Sequence, residues 1–145
     1  MRRKDAYEDR RAQGGNEHDN KTLADTFLCS NQGGMRRSLR TNTLVLISDQ
    51  TKVYADRWDG DVLLYTGMGL TGDQDFYYMQ NRTLYESQTN GVAIHLFEVF
   101  QPRQYTYIGQ VELAGKPYME KQANQNDLVR RVCVFPAREI GRAHV

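Results

Sequence analysis

Two cysteines, Cys29 and Cys133, are all the thiols this chain has, and they lie far apart with no CxxC pair. That excludes a disulfide framework and the usual zinc spacings. Three histidines are equally few. His18 lies in a polar lead, His95 inside an apolar strand pattern and His144 beside the carboxyl end. No Ser-His-Asp arrangement, HExxH, P-loop or HNH-type metal motif is present. The chain also lacks any long apolar run, and its mean hydropathy is -0.72, which excludes a membrane-spanning helix. Neither charge sign dominates: 19 basic residues stand against 18 acidic ones. Affinity for nucleic acid must therefore come from local clusters. These absences leave a cytoplasmic, single-domain binding protein with no cofactor and no catalytic centre of its own.

Both ends are set apart from the body. Residues 1–20 are charged and without periodicity, which predicts a disordered lead-in or a start codon placed too early. The last seven residues, Glu139–Val145, read EIGRAHV. They are what GAGATCGGAAGAGCACACGTC encodes, which after its first base matches the start of a common sequencing adapter. They predict an adapter-derived tail, with residues 21–138 as the domain.

Between the ends the pattern is mostly that of strands. TLVLISD (Thr43–Asp49), DVLLYTG (Asp61–Gly67), VAIHLFEVF (Val92–Phe100), YTYIGQVEL (Tyr105–Leu113) and VRRVCVF (Val129–Phe135) are apolar or alternating runs bounded by turn residues. Gly109 marks a bulge. A helix is expected after a cap at Asp73, with Phe76, Met79, Thr83 and Leu84 on one face and Asn90-Gly91 as its stop. A shorter one is expected around Thr22–Phe27. Many strands and few helices point to an α+β fold, a small, strongly bent sheet or barrel.

Two segments carry chemistry. NQGGMRRSLRTN offers Arg36, Arg37 and Arg40 in a glycine-led stretch without acidic residues, suited to phosphate contacts or simply a solvated loop. The run from Gln50 to Asp75 gathers Tyr54, Trp58 and Tyr65 with Asp56, Asp59 and Asp61, then Gly67, Gly69 and Gly72. These are ingredients of a pocket for a flat polar ring, or of core tyrosines beside acidic turns.

The order GGMRRS, LVLISD, DRWDGDVLLYTGMGLTGDQ, NRTL, HLFEVF, YTYIGQVEL, VCVFP resembles the SRA domain, over roughly Leu23 to Arg138. More narrowly, it is similar to the ScoMcrA-like SRA domains that precede HNH nuclease domains in bacterial modification-dependent restriction enzymes. The resemblance implies a PUA-like, strongly bent β-barrel with one or two short helices. It also implies binding of double-stranded DNA by flipping out 5-methylcytosine or a related base. Tyr54 and Tyr65 would then sandwich the base and Asp56 would accept its amino hydrogen. Thr66, Gly67, Met68 and Gly69 would line the rest, while Arg36, Arg37, Ser38 and Arg40 would meet the DNA backbone. Ile47, Ser48 and Asp49 stand where the eukaryotic pattern has a glycine pair, so Asp49, Arg57 and Asp59 are alternatives to the first ring and the acceptor. Met68 replaces the small residue usual there. The resemblance further implies a nuclease domain beyond this chain, and through it a homodimer. An RNA-binding PUA-like module is the alternative function.

Overall fold

A computed structural model describes residues 17–52, 56–124 and 126–141. In chain order the elements are β1 (Glu17–His18), α1 (Asn20–Phe27), β2 (Met35–Ser38), β3 (Thr43–Asp49), β4 (Arg57–Asp59) and β5 (Val62–Thr66). Then follow α2 (Gln80–Tyr85), β6 (Ala93–Gln101), β7 (Gln104–Leu113), β8 (Tyr118–Ala123) and β9 (Val129–Glu139). The strands form one mixed sheet in the order β2-β3-β6-β7-β9-β5-β4, with β1 added to β7 and β8 to β9. Among these strands only β3 and β6 run parallel; the other pairs are antiparallel.

The sheet is rolled. Four strand spacings separate β5 from β3, about 19 Å on a flat sheet. Yet the Tyr65 hydroxyl on β5 lies 3.2 Å from the Ile47 carbonyl on β3 and 2.7 Å from that of Gly34, just before β2. The inside is apolar: Leu44, Leu46, Leu63, Leu96 and Phe135 are fully buried. The outer face of β3 and β6 is covered as well, where Leu23 of α1 packs on Val45 and Phe97. Burial on both faces explains why these strands read as unbroken apolar runs.

The long strands fall where the sequence places them. Gly109 faces Leu96 and Tyr107 faces Phe97, so Ile108 is the extra residue of the expected bulge. α1 also forms as expected, capped by Asp19, whose side chain accepts the Thr22 N–H at 2.7 Å.

Several expectations are corrected. Residues 17–20 belong to the fold, because β1 pairs with Thr106 and Tyr105 and Asp19 caps α1. At the other end Glu139 pairs with Val111, and the Ile140 N–H donates to Gln110. The glycine-led arginine stretch is no flexible loop: Met35–Ser38 is strand β2, in register with β3. The helix expected from Asp73 covers only Gln80–Tyr85. Asp73 spends its carboxylate on the Arg131 N–H of β9 (2.8 Å), Asp75 turns back to Tyr77 N–H (2.7 Å), and Met79 has φ 46. The helical spacing of Phe76 is met instead by a wrapped loop that stacks its ring on Tyr85 and edges it against Phe135.

Candidate nucleic-acid interface

A cleft of about 910 Å³ opens at one end of the rolled sheet. Its buried walls include Met35, Arg36, Tyr65, Gln74 and Val99, and its rim carries exposed Lys52, Leu70, Pro102 and Arg103. Asp56 and the Thr66–Gly69 backbone lie between the two.

Asp56 is held by both carboxylate oxygens. Oδ1 accepts the Thr66 N–H at 2.8 Å and Oδ2 accepts the Ser48 hydroxyl at 2.9 Å. Burial pushes its carboxyl up to about 6; the Thr66 and Ser48 hydrogen bonds oppose that rise, while the charges of Glu98 and Asp49 add to it. A carboxylate is an acceptor, and a ring bearing an exocyclic amine is the kind of group it can meet.

The loop after β5 is built around glycine and clamped from behind. Asn81, fully buried, accepts the Met68 N–H (2.8 Å) and donates to the Met68 and Asp75 carbonyls (2.9 and 3.0 Å). Gln74 donates to Gly67 and Gly69 carbonyls (2.9 and 3.2 Å) and accepts the Cys133 N–H at 2.9 Å. These two amides account for the GDQ and NRTL motifs: each fixes the backbone that lines the cleft. A Cβ on Gly67 would lie 2.8 Å from Asn81 Oδ1 and 3.1 Å from Cys133 Cβ. Gly67→Ala is therefore expected to cost about 1–3 kcal/mol of folding stability, as overpacking does. Urea unfolding checks it, and a change below about 0.5 kcal/mol would show that the clamp yields.

The other expected site residues are distributed unevenly. Tyr65 is brought to the cleft wall, but its ring is 3% exposed within the core and its hydroxyl is tied to backbone. Burial pushes that phenol well above its ordinary range. Tyr54 lies outside the described residues. Arg36 is 4% exposed, its guanidinium donating to Gly33 O (2.8 Å) and Asn20 Oδ1 (2.6 Å) and lying 5.4 Å from the Tyr105 ring centre. Arg37 donates to the Ser38 and Thr43 carbonyls and to Asn42 Oδ1. Ser38 is buried, and of that group Arg40 alone is exposed. Two of the alternatives are also engaged, Arg57 in a two-pronged ion pair with Glu120 (3.0 and 2.6 Å) and Asp49 accepting from Thr51, while Asp59 is exposed.

Residues that no motif signalled complete the site. Lys52, Arg103 and Arg130 bring positive charge to the cleft, Arg130 also donating to the Gly69 carbonyl at 2.6 Å. Among the described residues, Tyr78, 49% exposed, and Tyr105 are its other rings. Among the described residues no three His, Cys, Asp or Glu side chains converge where a metal ion could sit.

The sequence profile of the ScoMcrA-like SRA domain matches residues 13–144. No curated protein matches the chain. Solved structures do. One is described as the sulfur binding domain and SRA domain of ScoMcrA complexed with phosphorothioated DNA. It is 22% identical with a TM-score of 0.68 over 83% of this chain and 37% of that one. The SUVH5 SRA complex with methylated CHH DNA is 21% identical, TM-score 0.63, covering 86% and 85%. The modification-dependent TagI restriction endonuclease is 20% identical, TM-score 0.65, covering 85% and 47%. The chain thus spans about a third of the ScoMcrA chain and about half of TagI. At these identities the likeness concerns the fold, which is the PUA-like fold of SRA domains.

Proposed function

This chain belongs to the ScoMcrA-like SRA domain family, and we propose that it binds duplex DNA by taking a modified cytosine, 5-methylcytosine or a close relative, out of the stack and into the cleft. The observation that carries the reading is Asp56, a carboxylate oriented by two donors in a cleft wide enough for a base. Cytosine, unlike thymine, presents an amine to such an acceptor. The solved relatives are complexes with methylated and with phosphorothioated DNA, and a modification-dependent restriction endonuclease. By that analogy this chain is the recognition part of a larger endonuclease.

Extruding a base costs a few kcal/mol. Stacking on an aromatic ring returns roughly 1–3 kcal/mol, and one buried methyl only about 0.8 kcal/mol. Phosphate contacts must supply the rest. Arg36 is buried and Arg37 is tied to the turn between β2 and β3, so that work falls to Lys52, Arg103, Arg130 and Arg40. Replacing Lys52 or Arg103 with alanine is expected to weaken methylated and plain duplexes equally. It should also lower the slope of log affinity against log salt by about 1 for each phosphate no longer neutralised. A change confined to the methylated duplex would instead make that residue a base reader.

The test of the function is fluorescence anisotropy with matched duplexes, one plain and one 5-methylated, each with 2-aminopurine beside the target. Tighter binding and an unstacking signal are expected with the methylated duplex. Equal affinity without that signal would end the base-flipping reading.

A further inference from the structure

Where the apolar lining of the rolled sheet runs out, it ends in acid. Along β3 the inward residues are Leu44, Leu46 and then Ser48; along β6 they are Ile94, Leu96 and then Glu98. The parallel register sets Ser48 opposite Glu98. Glu98 is fully buried. A leucine there would suit the core better, because a buried carboxylate is tolerated only when its hydrogen bonds are supplied.

They are supplied by residues that lead to Asp56. Glu98 Oε2 accepts from Trp58 Nε1 on β4 at 2.9 Å and from Gln50 Nε2 at 3.0 Å. The same Gln50 nitrogen donates to Ser48 Oγ at 3.0 Å, and the Ser48 hydroxyl donates to Asp56 Oδ2 at 2.9 Å. The directions are forced from one end. The Trp58 indole can only donate, so Glu98 Oε2 is an acceptor, and Gln50 turns its amide nitrogen toward it. That nitrogen then occupies a lone pair of Ser48, whose proton is left for Asp56.

We propose that Glu98 is a positioning residue for base reading: through Gln50 and Ser48 it fixes the direction in which the Asp56 carboxylate meets the base. The inference rests on Asp56 being the acceptor of the cytosine amino hydrogen. Among the described residues, the charged and titratable groups about Asp56 include Glu98 from β6, Asp49 from the end of β3 and the Tyr65 phenol from β5. Arg36 and Lys52 line the same cleft. Glu98 raises the Asp56 carboxyl, so neutralising it should let Asp56 ionise at lower pH.

The experiment uses the full chain with Glu98→Gln, Gln50→Met and Asp56→Asn. Each is measured on methylated and plain duplexes from about pH 5 to pH 8, beside a thermal melt. Glu98→Gln is expected to reduce the preference for the methylated duplex about tenfold, on the scale of one hydrogen bond removed. The midpoint of its pH profile should move to lower pH and its affinity for the plain duplex should stay unchanged. Gln50→Met cuts the relay while keeping the Glu98 charge, so preference should fall without that downward move. Gln50 is only partly buried, and this variant carries the test should Glu98→Gln fail to fold. If either folded variant keeps the parent preference and midpoint while Asp56→Asn loses the preference, Glu98 positions nothing and base reading by Asp56 stands. If Asp56→Asn also keeps the preference, Asp56 is not the reader and both proposals fall.

Discussion

Tyr65→Ala is expected to remove about 3–5 kcal/mol of folding stability, the range for truncating a buried aromatic side chain. A domain of this size has about 5–15 kcal/mol in total. Two losses combine: a ring packed with Leu63, Cys133 and Phe135, and the hydroxyl that closes the roll against Gly34 and Ile47. Tyr65→Phe separates them. It keeps the ring, and the Gly34 carbonyl still receives the Ile47 N–H at 2.8 Å. Its cost should be about 1 kcal/mol. Urea unfolding followed by Trp58, the single tryptophan of the chain, measures both. If Tyr65→Ala unfolds within about 1 kcal/mol of the parent and loses only DNA affinity, the ring is a stacking surface and no part of the core.

Asp56→Ala is expected to weaken binding of the methylated duplex by about 1–3 kcal/mol, the cost of a buried donor left unpaired. The plain duplex, held by phosphate contacts alone, should be nearly unaffected. The parent carries a pH signature for the same group. Its carboxyl is raised to about 6 in the folded state and returns to the ordinary aspartate range on unfolding. Between those values the folded chain binds more protons, so stability should fall as pH rises from about 4 to about 6. Base reading has the opposite sign: the ionised carboxylate is the better acceptor, and preference for the methylated duplex should grow through the same window. Asp56→Asn should flatten both curves. Parallel pH profiles for parent and Asp56→Asn would show that Asp56 titrates in its ordinary range.

The main strands were legible because their residues face apolar surroundings on one side or both. Thr43–Asp49 and the runs beginning at Val92, Tyr105 and Val129 carry that burial in their composition. β2, β4 and β8 were not, being short and polar; MRRS is a strand only because β3 lies beside it to pair with. Arginine-rich composition likewise says nothing about where the heads point, and Arg36 is drawn inward by Gly33, Asn20 and Tyr105. The alternation of Leu63 and Tyr65 fits a core tyrosine, the plainer of the two sequence readings, while the family resemblance favours a stacking ring. The glycine and amide motifs were visible as motifs, but the clamping by Gln74 and Asn81 requires partners far along the chain. Asp56 was reached through the resemblance; its Ser48–Gln50–Glu98 support depends on a parallel register that no local pattern encodes.

The place of β9 in the sheet has a consequence for how the protein is made. It pairs with β5, β7 and β8, so it is the strand around which the others are arranged, yet it is the last of the described strands to be synthesised. At roughly 5–20 residues per second, a ribosome takes several seconds, on the order of five, to go from β5 to β9. Until then the edges of β5, β7 and β8 emerge without their partner, and the cleft has no Cys133 backbone to hold Gln74 and Gly67. A nascent chain in that interval has no finished cleft. The sheet is thus completed late, and the time before is an interval in which chaperones and proteases compete for an unfinished sheet.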